Sequence, residues 1–510
     1  MYVSANSLRH MIKRIPFLLI LLLSACNSPP SSSKSLYQFY NTHLFFDLDE
    51  EVERSPCTVQ GTIPSWLSGT LLRNGPAKFS VGGEKRVSWF DGLAMLHAFE
   101  FTPQEVAYSN RFLRCEQYYI MVKEKSLNFS GFAQDPCPVV FKNQTSRFIP
   151  KEMKDIQCAS VTIQDYADMM VALTEAPLPV VFDPTTLDTI GNFEYGDKLP
   201  KSQIWESAHA QHDLAAGETF NYFIEFGQQS SYVIWKMRDH STVREVVNKI
   251  PVDLPAYMHS FALTEHYQIL VEFPFVVNPM DLIHRIKPLI FNYTWKPERG
   301  TTFYVTERSS GKLVAKIKDD PFFAFHHVNA YDKEGKIFID IVTEPNADVM
   351  WVITETTTDP RKILESGRTK LQRFTIDMPT QTLSKETIFN DTLELPRVPA
   401  DRTAHEYRYC YATDAEFPNS VADIRPLYKI DVNAKTSQKW AQAGCFPGEP
   451  IFAPRPDGQT EDDGVVLSVV LDLANHTSFL LILDARDMTE LARAEAPHAI
   501  PAGLHGFWNP

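Results

Sequence analysis

A chain of 510 residues with 44% apolar side chains can bury one large core or several smaller ones. Its formal charge of −14 leaves no basic surplus to neutralise phosphates, which excludes a nucleic-acid partner on charge grounds. The 35 prolines fall near the ends of short apolar runs, and few long helical patterns occur, so the composition predicts an all-β architecture.

The chain opens with Lys13 and Arg14 before a short apolar run, Ile15 to Leu23, followed by Ser24, Ala25 and Cys26. The run is too short to span a bilayer, and small residues precede the cysteine as at a cleavage site. This order resembles a bacterial lipoprotein signal, in which Cys26 is lipidated and becomes the new N-terminus. An ordinary cleaved signal or a signal anchor is the alternative. Residues 1–25 then read as signal, and 26–40, opening with Asn, Ser and Pro, as a flexible tether. Such a signal implies a lipid-anchored protein of the bacterial cell envelope, and Asn27, where an inner-membrane retention signal often has Asp, favours the outer membrane. Residues 41–510 show no linker and read as one domain.

A repeated unit runs through that domain. An apolar strand ends in Asp or another polar residue, turns through a Ser- or Thr-containing loop, and restarts. Copies surround Thr102, Asp183, Asp239, Thr306, Asp377, Asp431 and Asp484, most of them about 53 to 71 residues apart. Paired strands at this interval predict a seven-bladed β-propeller, whose axis lets distant segments meet at one point. An irregular sandwich is the alternative. The segment 274–293 predicts an amphipathic helix, with Met280, Ile283, Ile286 and Ile290 near one face and Arg285 and Lys287 able to snorkel. It reads equally as an interfacial helix on a lipid surface or as a cap over the propeller. Cys57, Cys115, Cys137, Cys158, Cys410 and Cys445 form no CxxC pair and no zinc spacing.

Four histidines lie in strand-like settings spread along the chain: His209 in SAHA, His259 in YMHSF, His326 in FHHVNAY and His505 in LHGF. None is spaced as a local metal clip, and a lone histidine among apolar residues is more often a satisfied core residue than a ligand. Three glutamates strengthen the case. Glu175, Glu394 and Glu449 sit among apolar or turn residues, where burial without a partner is costly. A ligating imidazole donates its other N–H, commonly to a carboxylate, and such carboxylates offset a dication's charge. Alternatively, the glutamates cap turns or pair with Arg397, Arg402 or Arg455. Imidazole suits zinc, copper, iron and nickel alike. Competing motifs fail: His405-Glu406 lacks the second histidine of HExxH because residue 409 is Tyr, and GxSxG, GxGxxG and a P-loop are missing.

From about residue 45 onward the chain resembles the carotenoid cleavage oxygenases, most closely the animal carotene oxygenases and the retinoid isomerohydrolase. The resemblance rests on GTIPSWLSGTLLRNGPAKF (61–79), WFDGLAMLHAF (89–99), GEPIFAPRP (448–456), EDDGVVLSVV (461–470) and the closing LHGFW. It implies a seven-bladed propeller with a helical cap over one face. It also implies one ferrous iron per chain, held by His209, His259, His326 and His505, with His326 rather than His327 as ligand. The family's outer carboxylates fall on Glu175, Glu394 and Glu449. Ala210 departs from the proline usual after the first ligand. The implied reaction inserts dioxygen across a conjugated C=C bond of a carotenoid, apocarotenoid or related polyene, drawn from a membrane lipid surface. A retinoid-ester isomerohydrolase using the same iron as Lewis acid, or a non-enzymatic carrier of apolar ligands, is the alternative.

Overall fold

Each of the seven repeated segments forms the outer hairpin of its own antiparallel sheet. The reason is local. Asp183 accepts hydrogen bonds from the amides of Thr185 and Thr186, and Asp431 from those of Asn433 and Ala434. These side-chain turns reverse the strand. The computed structural model describes residues 33–86, 88–127, 131–133, 158–201, 204–284 and 287–510. The expected signal, Cys26 and Cys137 lie outside them.

Among the described residues the seven sheets are the blades of a propeller, numbered here in chain order. Blade one contains Gly69–Lys78, Leu93–Phe101 and Val106–Phe112, and its innermost strand is the C-terminal Gly506–Asn509. Blades two to six follow consecutively, from Thr162–Tyr166 to Thr436–Trp440. Blade seven runs from Cys445–Pro447 to Glu490–Glu495 and takes Thr58–Gly61 as its outermost strand. Each end of the chain thus completes a blade begun by the other.

Buried apolar side chains fasten every neighbouring pair of blades. Leu72 and Leu96 pack with Ile163 and Val180 between blades one and two, and Leu173 with Phe223 and Trp235 between two and three. One larger cluster joins blades three, four and five through Tyr222, Ile269, Phe303 and Phe374. Val342 meets Ile430 between five and six, and Leu427 meets Leu481 between six and seven. Leu467 and Leu480 meet Leu71 and Phe99 across the closure of seven onto one. Middle strands such as Met169–Leu173 and Thr477–Asp484 are therefore largely apolar on both faces, while outer ones such as Thr436–Trp440 are largely exposed and carry lysine, which discourages edge pairing.

Two expectations are corrected. Residues 33–40, expected in a tether, belong to a helix, Ser33–His43, that buries Leu36, Tyr37 and Tyr40. Its apolar residues pack on Phe79, Val352 and Ile363, and Asn41 donates to Glu355 at 2.7 Å. Apolar spacing at positions 36, 37 and 40 outweighs the serine-rich start. The expected helix over 274–293 is broken. Phe275–Val277 pairs with Tyr293–Trp295 as a small sheet, leaving a helix at Pro279–His284 and a 3-10 turn at Leu289–Asn292. Pro288 interrupts it, and Ile290 is fully buried, so no continuous apolar face remains. Arg285, Ile286 and the side chain of Ile283 lie outside the described residues. The cap consists of the N-terminal helix with Val349–Ile353 and Pro360–Glu365. No helix among the described residues is long and apolar enough to cross a membrane.

Candidate metal centre

The inner strands place one functional residue from each blade around the axis. His209 lies between Ile204–Glu206 and Gln211–Asp213 in blade three. His259 precedes Ala262–Leu263 in blade four, His326 precedes His327–Lys333 in blade five, and His505 precedes Gly506–Asn509 in blade one. The other three blades supply the carboxylates: Glu175 after Met169–Leu173, Glu394 at the head of Glu394–Arg397, and Glu449 between Cys445–Pro447 and Ile451–Pro454.

The four imidazoles converge. One nitrogen of each lies within 4.8 Å of all the others. Nε2 of His209 is 2.9 Å from that of His259, and Nε2 of His326 is 3.3 Å from that of His505. On the opposite side of the rings, Nδ1 of His259 meets Glu175 at 2.6 Å, that of His326 meets Glu394 at 2.5 Å, and that of His505 meets Glu449 at 2.7 Å. His209 has no carboxylate partner among the described residues. Its amide donates to Ser207 Oγ, whose hydroxyl donates to the His259 carbonyl, coupling two ligand segments. His327 turns away: its Nδ1 meets Ser260 Oγ at 2.8 Å, and burial pushes its pKa down to about 3.

These contacts test whether a cation fits. With Nδ1–H given to a carboxylate, the facing Nε2 atoms of His326 and His505 are both lone-pair acceptors. No hydrogen bond joins two acceptors, whereas a metal ion between them satisfies both. Metal–imidazole bonds of about 2.1 Å hold neighbouring nitrogens about 3 Å apart, close to the 2.9 and 3.3 Å found here. Burial, then the facing His259, His505 and His326, hold His209 far below the ordinary imidazole range. Burial likewise pushes His505 down to about 3 against the pull of Glu449. Both shifts favour the neutral imidazole that a metal ion requires.

The charges also match. Burial opposes ionisation of Glu449, but Arg397, His505 and Arg73 together hold its carboxyl well below the usual range. Arg73 reaches it at 3.0 Å and Arg397 at 2.6 Å, and the Gly506 amide donates at 2.8 Å. Glu175 and Glu394 have no cationic side-chain partner besides their histidines among the described residues. A bound dication would thus stand among two glutamates that no arginine or lysine reaches among the described residues, an arrangement that suits its charge.

The alternative pairing of Glu449 with Arg397 and its contact with His505 occur together. Arg402 instead approaches Asp401 and Glu461. Sequence reasoning missed Arg73, whose signal was a cation in the buried middle of the strand Gly69–Lys78. It also missed Tyr257, two residues before a ligand, whose hydroxyl donates to Glu175 at 2.6 Å. The centre opens on one side to an apolar cavity lined by Trp89, Phe90, Phe325, Val349, Ile353 and Leu504. On the other side lies a more polar one that includes Arg238, Asp239, Arg402 and Glu461.

Comparison with known proteins places this geometry. The profile of the family described as Retinal pigment epithelial membrane protein matches residues 45–510. The rat protein named beta,beta-carotene 15,15'-dioxygenase is 29% identical, with 90% of each chain covered. Carotenoid isomerooxygenase of Galleria mellonella is 30% identical over 91% of this chain and 95% of its own. A mutant of Synechocystis apocarotenoid oxygenase superposes with a TM-score of 0.79 at 26% identity, covering 94% of this chain and 98% of that one. A cobalt-substituted Synechocystis ACO gives 0.78 at 27% identity, with the same coverage. With blade order, axial histidines and a match over nearly the whole propeller in agreement, the chain belongs to the Retinal pigment epithelial membrane protein family, that of the carotenoid cleavage oxygenases.

Proposed function

We propose that this protein is a non-haem iron(II) dioxygenase that cleaves a conjugated C=C bond of a carotenoid, apocarotenoid or related polyene into two carbonyl fragments. The observation that carries the reading is the four-imidazole cluster, backed by three carboxylates, opening onto an apolar cavity. The names of the relatives support carotenoid cleavage, and the cobalt-substituted structure supports a metal-binding fold. The balance is simple: one dioxygen and one C=C bond give two C=O groups, with no protein nucleophile consumed.

Ferrous iron, when bound, supplies the one-electron chemistry that lets dioxygen react with a closed-shell alkene. The protein does the rest. Glu175, Glu394 and Glu449 fix three rings with Nε2 inward. Phe90, Phe325 and Leu504 keep water from the reacting bond and hold an apolar chain against the centre. Tyr257 keeps Glu175 oriented through its hydroxyl.

Purified protein is loaded with ferrous iron anaerobically, assayed for metal, and exposed to labelled dioxygen with a panel of carotenoids, apocarotenals and stilbenes. Labelled carbonyl fragments and one iron per chain are expected. A fully loaded protein that releases none across the panel overturns the reading, and product formed without dioxygen would favour the isomerohydrolase. The N-terminal pattern supports a lipid anchor at Cys26 that holds the enzyme at a bacterial envelope membrane, where apolar substrates reside. In a bacterial host, Cys26→Ala should abolish incorporation of labelled fatty acid and leave the protein in the unprocessed form.

A further inference from the structure

Resting on the polyene-cleaving reading, we propose that Glu344 hydrogen-bonds the oxygen function of the substrate, so that the cavity selects hydroxylated carotenoids or apocarotenals over hydrocarbon carotenes.

Glu344 follows the blade-five strand Lys336–Thr343 and forms an antiparallel bridge with Phe323. Directly opposed residues in such a bridge project to one side. The Phe323 ring packs 5.2 Å from Phe325 and 6.4 Å from Tyr257, beside the metal centre. Glu344 lines the apolar cavity and is 6% exposed.

Every other ionisable side chain that lines this cavity has a hydrogen-bonding partner, although one oxygen of Glu394 has none. Arg73 and His505 hold Glu449, and His97 meets Tyr108. His259 holds Glu175, and His326 holds Glu394. Asp414 and Glu416 share Arg425. Among the described residues the Glu344 carboxyl makes no hydrogen bond and no ion pair, although its backbone is fully paired with Phe323. Ser366, whose buried hydroxyl also lacks a partner, lines the same cavity.

The Glu344 oxygens face the cavity, and a ligand that covers them without offering a hydrogen bond strips their water and gives nothing back, which is unfavourable. Burial, then Glu394 and Asp348, push the Glu344 carboxyl well above the ordinary range. That shift favours the protonated acid, which can donate to a carbonyl oxygen or both donate to and accept from a hydroxyl. A purely hydrocarbon polyene would cover this carboxyl and leave it unsatisfied. A site built around a hydrogen bond rejects the analogue that lacks it.

The test measures equilibrium binding to metal-free protein by quenching of tryptophan emission. The ligands are a hydrocarbon carotene, its dihydroxylated counterpart of equal polyene length, and an apocarotenal. Wild type should bind the two oxygenated ligands about tenfold more tightly than the hydrocarbon. Glu344→Leu should bring that ratio near one while melting no lower than wild type, since it removes a buried unpaired acid. Glu344→Gln should retain part of the preference. Equal affinities in wild type, or an undiminished preference in Glu344→Leu, overturn the proposal. A lower melting temperature in Glu344→Leu also overturns it, because that marks a structural role. Oxygenated preference without cleavage by iron-loaded protein would defeat the dioxygenase reading alone, whereas cleavage without preference would defeat this one alone.

Discussion

The three carboxylates behind the imidazoles are not equivalent, and Glu449→Gln should separate them. Glu449 is fully buried and joins His505, Arg73, Arg397 and the Gly506 amide. The amide preserves shape but removes the charge that two guanidinium groups share. Arg397 is 32% exposed and can turn to solvent, while Arg73, 5% exposed, cannot. Whichever way the amide turns, its single oxygen serves one pair, Arg73 with the Gly506 amide or Arg397 with His505, and its NH2 group faces the donors of the other. Breaking a buried pair by removing one partner costs about 3–5 kcal/mol. Glu175→Gln leaves no cation stranded: the amide oxygen can still accept from Tyr257 or His259, so the lost hydrogen bond costs about 1 kcal/mol. Both variants should bind metal about 10–100-fold more weakly. In excess chelator, where metal affinity no longer matters, Glu449→Gln should melt far below wild type and Glu175→Gln close to it. Equal melting of the two variants in chelator would refute the claim that Glu449 also neutralises a buried arginine pair.

His326→Ala should lose bound metal and activity together, whereas His327→Ala should keep its metal, because His327 faces Ser260 instead; metal analysis after gel filtration decides it. Gly506→Ala should destabilise ring closure, since an added Cβ would lie 2.6 Å from the Leu72 carbonyl oxygen; loss of soluble protein or a large drop in melting temperature is expected. Burial raises Glu355 to about 7, against the pull of Asn41 and Lys85, so the docked N-terminal helix holds a proton that the undocked form releases above its ordinary 4.5. Docking should thus be firmest below pH 4.5 and weaken as pH rises through about 7, seen as faster amide exchange in Ser33–His43 after correction for intrinsic rates, with Glu355→Gln abolishing the pH dependence.

Legibility followed the range of the interactions. The seven hairpins could be read because their turns are closed by the strand-end residue itself, as at Asp183 and Asp431. The histidines and glutamates could be singled out because each breaks an apolar local context, but their convergence is a property of the ring and entered through the family resemblance. Arg73 escaped notice because its partner stands 376 positions away, across the closure of blade seven onto blade one. The 274–293 segment misled because helical spacing of apolar residues competes with a strand pairing that joins its two ends, Val277 with Tyr293. Glu344, an acid at the end of an apolar strand, carries the same local signal as Glu175. Only the structure separates them, since one carboxyl holds a ligand imidazole and the other faces the cavity unpartnered.

A site that draws one residue from every blade ties its chemistry to the completeness of the fold. Six residues of the set, Glu175 to Glu449, come from six consecutive blades. The seventh, His505, arrives only when Gly506–Asn509 pairs with Gly69–Lys78 to finish blade one. The same few residues carry the contacts that hold this junction: Gly506 donates its amide to Glu449, and Arg73 reaches both Glu449 and the Leu504 carbonyl. A ring left open would leave three imidazoles without the fourth and a carboxylate–arginine pair unassembled. Metal binding therefore favours the closed propeller by whatever free energy the completed site gains over three ligands. The inward crowding of four imidazole rings, unfavourable without a cation among them, is the counterpart of that gain.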